Sequence, residues 1–113
     1  MVVALFRSRL RPGENEEYRE VATRMLELAR AMPGFVNFKS YSAEDGERLA
    51  VVEFESLETL EAWRDHREHV EAQSAGRERF YSEYRLQVCD LVRDYSFDGE
   101  TRRALTPSEP NGA

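Results

Sequence analysis

The sequence is poor in the residues that cross-link a chain or anchor it in a membrane. Cys89 is the one cysteine, so neither an internal disulfide nor a thiolate metal cage can form. No apolar run approaches the roughly 20 residues that a membrane-spanning helix needs. The apolar start, residues 2–6, has neither the basic segment nor the cleavage site of a signal peptide. We therefore expect a cytoplasmic protein that does not interact with membranes.

Basic residues are also in deficit. The 113 residues include 16 Lys and Arg against 22 Asp and Glu, which gives a formal net charge of −6. Because binding to nucleic-acid phosphates needs clustered positive charge, we expect no nucleic-acid partner. Hydrophobic residues make up 41% of the chain, which is enough for the core of one small domain.

The composition changes once, near residue 98. Residues 98–113 hold two of the four prolines and no aromatic residue. A segment of this composition buries too little apolar surface to offset the entropy that is lost when it becomes ordered. We predict a folded domain over residues 1–97 and a flexible C-terminal tail over 98–113.

Within the predicted domain, the hydrophobic pattern alternates between the periods of strands and helices. It predicts strands over 2–10, 35–43, 48–55 and 83–97, a helix over 14–32, a helix that Ser56 caps, and a helix over 67–82 that bends away near His66. This β-α-β-β-α-β order is typical of the ferredoxin-like fold. We expect an α+β protein in which the helices cover one face of a four-stranded antiparallel sheet.

The second face of this sheet is also partly apolar. In the third strand, Ala50 and Val52 point to one side, while Leu49 and Val51 point to the other. The apolar residues of the last strand change sides after Val88, and this strand is roughly twice the usual length. Both observations predict a homodimer in which a second copy covers the open face.

The candidate chemistry is concentrated between residues 63 and 69, which contain the only tryptophan and both histidines. On a helix, Trp63, His66 and His69 can share one side. The indole would then bind a planar substrate, and an imidazole would transfer protons. The alternatives are that Trp63 is a core residue and that the histidines lie at an exposed helix junction. No third ligand accompanies the two histidines, so we predict no metal site.

Three polar residues on strands complete the candidate site. A buried Asn37 would bind a substrate oxygen or an oxyanion, whereas an exposed Asn37 would have no role. Tyr41 has the same parity in the strand and would orient the substrate. Arg7 would bind an anionic ligand, with a solvated or dimer-interface salt bridge as the alternative.

Three further residues have structural interpretations. Tyr81 and Tyr84 flank the turn into the last strand, where we expect them in the core or in an interface. Cys89 lies in an apolar strand and is expected to pack as a small hydrophobic residue.

Several short segments resemble the antibiotic biosynthesis monooxygenase (ABM) domain family. They are Leu-Arg-Pro-Gly at 10–13, Met-Pro-Gly-Phe at 32–35, Val-Val-Glu-Phe-Glu-Ser at 51–56, and Leu-Glu-Ala-Trp-Arg at 60–64 followed by His69. The resemblance covers roughly residues 1–97. It implies a dimeric α+β barrel, in which the sheets of two subunits pack together and exchange C-terminal strands.

The resemblance also implies two kinds of oxygenase, one cofactor-independent and one haem-degrading. In both, the site lies between the helices and the sheet, and a tryptophan at the position of Trp63 contributes to it. Haem-degrading members carry an asparagine in the first strand, where this chain has Phe6 or Arg7. They carry a haem-ligating histidine about ten residues after the tryptophan, where this chain has Gln73. These departures argue against haem degradation.

The leading hypothesis is a monooxygenase without a cofactor that oxidises a small electron-rich aromatic, of the quinol or polyphenol type, with dioxygen. Trp63 would form the wall of its pocket, His66 or His69 would transfer the proton, and Asn37 or Tyr41 would orient the substrate. The alternatives are a haem-binding or haem-degrading enzyme and a non-catalytic dimer that binds a small molecule.

Overall fold

Four strands and three α-helices follow one another in the predicted order. The computed structural model describes residues 1–13 and 16–99. Its elements are β1 (Val2–Leu10), α1 (Glu16–Ala31), β2 (Phe35–Ser42), β3 (Arg48–Phe54), α2 (Leu57–Arg64), α3 (Arg67–Ala75), a π-helical turn (Gly76–Phe80) and β4 (Tyr81–Asp90). The strands form one antiparallel sheet in the order β2-β3-β1-β4. The predicted ferredoxin-like α+β fold is confirmed.

The register of the central strand β1 decides which residues face the helices. Ala4 lies opposite Val52 of β3 on one side and opposite Val88 of β4 on the other. Residues that are directly opposite in antiparallel strands project to the same face. The even positions of β1 and β3 therefore form the helix-covered face. The buried core on this face consists of Val2, Ala4, Leu28, Ala29, Val52, Phe54, Leu60 and Trp63.

Local sequence signals fix the ends of the elements that carry the site. Gly34 follows α1 with φ of +84°, and a Cβ atom there would lie 2.6 Å from the Thr59 side chain. Thr59 also closes the capping box of α2, because its backbone N–H donates to Ser56 Oγ at 3.1 Å and its Oγ1 accepts from the Ser56 N–H at 3.2 Å. The predicted cap at Ser56 is confirmed, and it anchors the helix that carries Trp63.

The prediction of a last strand over 83–97 is wrong at both ends. The strand β4 begins at Tyr81 and ends at Asp90, which lies opposite Val2. The N–H of Leu91 donates to the carbonyl of Met1 at 3.1 Å, directly before the first residue of β1. The change of parity after Val88 therefore marks the end of pairing within the sheet.

Other predictions near this strand had different outcomes. The helix predicted over 67–82 ends at residue 80, and its last turn is π-helical. Cys89 is exposed, so its expected packing as a small hydrophobic residue is wrong; it lies on the open face of the edge strand β4, opposite Val3. Of the predicted tail 98–113, residues 100–113 lie outside the described residues. Among the described residues, no helix is both long and apolar enough to cross a membrane.

Candidate active site

A cavity of about 360 Å³ lies between the helix-covered face of the sheet and the helices. This volume is within the range of small-molecule binding sites. Apolar and aromatic side chains from β1, β2, β3, β4, α1 and α2 dominate its lining, and they include Phe6, Tyr18, Met25, Phe38, Trp63 and Leu86. The cavity therefore suits a planar, largely apolar ligand.

Trp63 forms part of the wall and is also a core residue. It is 6% exposed, stacks on Phe54 with ring centroids 5.7 Å apart, and meets Phe38 edge-on at 6.2 Å. Its Nε1 is buried and has no hydrogen-bond partner among the described residues. Leaving such a donor unsatisfied costs about 1–3 kcal/mol. The indole N–H is therefore a buried donor without an acceptor among the described residues.

His69 packs directly against this indole. The ring centroids of His69 and Trp63 are 4.2 Å apart, and His69 Nδ1 lies 3.2 Å from the carbonyl oxygen of Trp63. Because a carbonyl can only accept, this contact places the proton on Nδ1 and leaves a lone pair on Nε2. Burial lowers the pKa of His69, although the bond to the Trp63 carbonyl opposes this shift, and the charge of Arg64 lowers the pKa further. His69 is therefore a neutral base at pH 7.

Aromatic rings that the sequence did not assign to the site form another part of the lining. Phe6 lies 5.4 Å from the ring centroids of both Tyr81 and Tyr84, and Tyr18 lies 5.9 Å from Tyr81. Burial, together with the neighbouring Tyr18, raises the pKa of Tyr81, so its hydroxyl stays protonated. A Cβ atom on Gly76 would lie 2.7 Å from the Tyr81 ring. Glycine at position 76 therefore makes room for this tyrosine.

The charged residues of the lining are arginines. Arg48, on the helix-covered face of β3, places its guanidinium 5.6 Å from the centroid of the Tyr18 ring. Arg64, at the end of α2, also lines the cavity, and its carbonyl accepts a hydrogen bond of 3.3 Å from Gln73 Nε2. Within the described part of the chain, the lining contains no Asp or Glu.

Of the six predicted site residues, the structure brings Trp63 and His69 together at the cavity. His66 lies instead in the break between α2 and α3, where it is the N-cap of α3. Its Nδ1 accepts the backbone N–H of Glu68 at 3.2 Å. This hydrogen bond gives His66 a structural role outside the cavity lining.

The three predicted strand residues lie on the open face of the sheet. Asn37 and Tyr41 are exposed and lie opposite Glu53 and Leu49 of β3, on the face away from the helices. Arg7 is at an odd position of β1 and forms a salt bridge of 3.1 Å with Glu47. Arg7 therefore has a salt-bridge partner within the chain, and none of the three residues is part of the described cavity lining.

The side chains of the cavity do not form a metal-binding group. In residues 1–13 and 16–99, no cluster of three or more His, Cys, Asp or Glu side chains could hold a metal ion. Gln73, at the position where the resemblance implies a haem ligand, lines the cavity near His69. His69 is thus the imidazole that the cavity presents to a ligand.

The sequence profile described as antibiotic biosynthesis monooxygenase matches residues 1–75. The chain belongs to this family. The matched residues include every element from β1 to α3, so they contain both Trp63 and His69. Tyr81 and Tyr84 lie beyond the matched residues.

Three known proteins resemble the chain in sequence or in structure. The chain is 34% identical to the uncharacterized protein YqjZ of Bacillus subtilis (strain 168) over 90 aligned residues. This alignment covers 79% of each chain. The structure of Rv0793 from Mycobacterium tuberculosis superimposes with a TM-score of 0.74 at 20% identity, over 84% of this chain and 98% of that one. SnoaB, described as a cofactor-independent oxygenase from Streptomyces nogalater, gives a TM-score of 0.68 at 14% identity, over 80% and 91%. At these identities the two structures establish a shared fold.

Proposed function

We propose that this ABM protein is a cofactor-independent monooxygenase that oxidises an electron-rich aromatic, of the quinol or polyphenol type, with dioxygen. The observation that carries the proposal is a neutral, half-buried imidazole beside a buried indole whose N–H lacks an acceptor among the described residues, with both side chains lining an aromatic cavity. Membership of the family and the shared fold with SnoaB also support it.

His69 supplies the base in the proposed reaction. Its Nε2 takes the acidic proton of the bound aromatic, and the resulting anion transfers electrons to dioxygen. A new carbon–oxygen bond then gives a hydroperoxide at a carbon that still carries hydrogen. Loss of this hydrogen as a proton, with cleavage of the O–O bond, releases water and leaves one oxygen atom as a carbonyl. The substrate supplies all the electrons, so no external reductant is consumed.

The remaining cavity residues control the environment of this anion. Apolar walls exclude water, which would otherwise protonate the anion and trap the peroxide. The Trp63 N–H donates to an oxygen of the substrate and thereby orients the ring. We assign the proton transfer to His69 rather than His66, because Nδ1 of His66 is already engaged as a helix cap.

We also propose a homodimer, because the open face of the sheet carries an apolar patch. This open-face patch, formed by Val3, Leu5, Leu49 and Val51, is only half-buried in one chain. A second copy packed on it would remove this apolar surface from water. Asn37, Tyr41 and Arg7 lie on the same face, and we place them at or near this interface.

The experiment is oxygen uptake by metal-free protein with a panel of hydroquinones and anthrones. The proposal predicts uptake with at least one compound, with one dioxygen consumed per molecule of product, and no change when a chelator is added. Silence across the panel would instead support a non-catalytic binding dimer. A Soret band on haem titration that fades with reductant and dioxygen would favour a haem-degrading enzyme.

A further inference from the structure

The charge of the cavity is opposite to the charge of the protein. The chain has a formal net charge of −6, yet the charged residues that line the cavity, among those described, are Arg48 and Arg64. Neither guanidinium forms a salt bridge with a carboxylate of the described residues. Both arginines are half-buried, so water solvates them in part. A ligand with a negative charge in the cavity would meet positive charge that no described carboxylate neutralises.

Arg48 is the better placed of the two arginines to hold a ligand charge. Its guanidinium lies over the Tyr18 ring, at 5.6 Å from the centroid, within the range of a cation–π contact. This contact leaves the N–H groups of Arg48 for a planar carboxylate, which a guanidinium can bind through two parallel hydrogen bonds. The alternative role of Arg64, which ends α2, is to interact favourably with the helix dipole.

The positions of Arg48 and Trp63 along the sheet define an orientation for the ligand. Arg48 begins β3, whereas Phe54, on which Trp63 stacks, ends it. A ligand held by its charge at Arg48 therefore extends its ring system towards Trp63 and His69. The anionic substituent would lie at the end of the molecule that is remote from the base.

We infer that the cavity selects aromatic carboxylates and that Arg48 is the residue that binds the carboxylate. The inference rests on the proposed function for the identity of the site and adds the substrate class. It concerns binding alone and can be tested without turnover.

The test is calorimetric titration of the full-length protein with 2-naphthoate and with 2-naphthamide, which has the same ring system and nearly the same shape but no charge. We expect the carboxylate to bind at least about tenfold more tightly than the amide. Arg48→Gln should remove this preference and leave the affinity for the amide within about twofold. Arg48→Lys should keep part of the preference, because it retains the charge without the planar guanidinium.

Arg19→Gln is the matched control, because it makes the same change in net charge at an exposed position of α1 outside the cavity lining. It should leave the preference intact, and thermal unfolding would verify that each variant is folded. The inference would be overturned by equal affinity for the two ligands or by no binding of either at millimolar concentration. It would also be overturned if Arg64→Gln removed the preference and Arg48→Gln did not. Preference for the carboxylate without oxygen uptake would reject only the proposed function; uptake without the preference would reject only this inference.

Discussion

At the scale of single residues, the contact between His69 and Trp63 determines what the cavity can do. The six-residue spacing of this pair crosses the break between α2 and α3, so the two rings meet although they lie on different helices. The sequence predicted that Trp63, His66 and His69 could share one side of a helix, with an exposed helix junction near His66 as the alternative. The break at residues 65–66 turns His66 into a cap and away from the lining. Which histidine faces the cavity thus depended on the geometry of a helix junction, which hydrophobic spacing does not specify.

The partial burial of His69 predicts a dependence of stability on pH. Burial places the pKa of His69 in the folded protein below its ordinary value of 6.5. At a pH between the lowered pKa of the folded protein and 6.5, the imidazole binds a proton in the unfolded chain but not in the folded protein. Acidification through this range therefore favours unfolding. Above pH 6.5 the effect vanishes. Other groups also titrate in this range, so the comparison is with His69→Asn, in which an amide N–H can still donate to the Trp63 carbonyl.

The measurement is urea unfolding of both proteins at pH 7.5 and pH 5.5. The free energy of unfolding of the wild type, relative to that of His69→Asn, should decrease as the pH falls. An unchanged or increased difference would show that the imidazole is not held in its neutral form by burial.

At the scale of the elements, the π-helical turn connects the helices to the last strand and delivers the tyrosines to the cavity. Arg11 holds this turn, because its guanidinium donates to the carbonyls of Arg77, Glu78 and Tyr81 at 2.9–3.2 Å. The sequence predicted an ordinary helix here. Arg11 lies some 70 positions before its acceptors in the chain. Hydrogen bonds over this separation are tertiary contacts, which the local hydrophobic pattern does not predict.

Gly76 provides a test of this turn. Its backbone is helical, so alanine at this position should stabilise the protein by about 1 kcal/mol on helix propensity alone. We expect the opposite, a loss of about 1–3 kcal/mol, because the new methyl group would meet the Tyr81 ring. Chemical denaturation measures this change, and Ser74→Ala, at an exposed position of α3, is the control that should be neutral or slightly stabilising.

The clash with the ring can be separated from other effects by a double variant. Gly76→Ala in a Tyr81→Ala background should no longer destabilise, because the ring is absent, so the two substitutions should be strongly non-additive. Additive effects would contradict the proposed role of Gly76 in making room for Tyr81.

At the scale of the whole molecule, most of the architecture followed from the sequence. The strand pattern of 2–10 and the cap at Ser56 each predicted one element, and the order of the predicted strands and helices was sufficient for the fold. The end of β4 was not predictable in this way, since it depends on where β1 begins. The sequence analysis did not predict the arginines of the cavity lining. Arg48 shares the parity of Ala50 and Val52, but a charged residue at the end of a strand is normally solvated and was not assigned to the site.

The proposed dimer can be tested at the open-face patch. Val51 lies near its centre and pairs with Leu5 of β1. A lysine at position 51 would place a charge in the interface, so Val51→Lys should yield monomers of 13.2 kDa, whereas the wild type should have twice this mass. Light scattering coupled to gel filtration gives the masses. Ala62→Lys, at an exposed position of α2, should remain dimeric; a monomeric wild type would contradict the proposal.

The most direct test of the central claim compares the two histidines under single-turnover conditions, with metal-free protein and the best compound of the oxygen-uptake panel. The account predicts that His69→Asn slows oxidation by about 100-fold or more, the scale of a lost general base. His66→Asn should oxidise at the wild-type rate, because asparagine is also a good helix N-cap. Equal rates in the two variants, or a loss confined to His66→Asn, would contradict the assignment of the reaction to the cavity between Trp63 and His69.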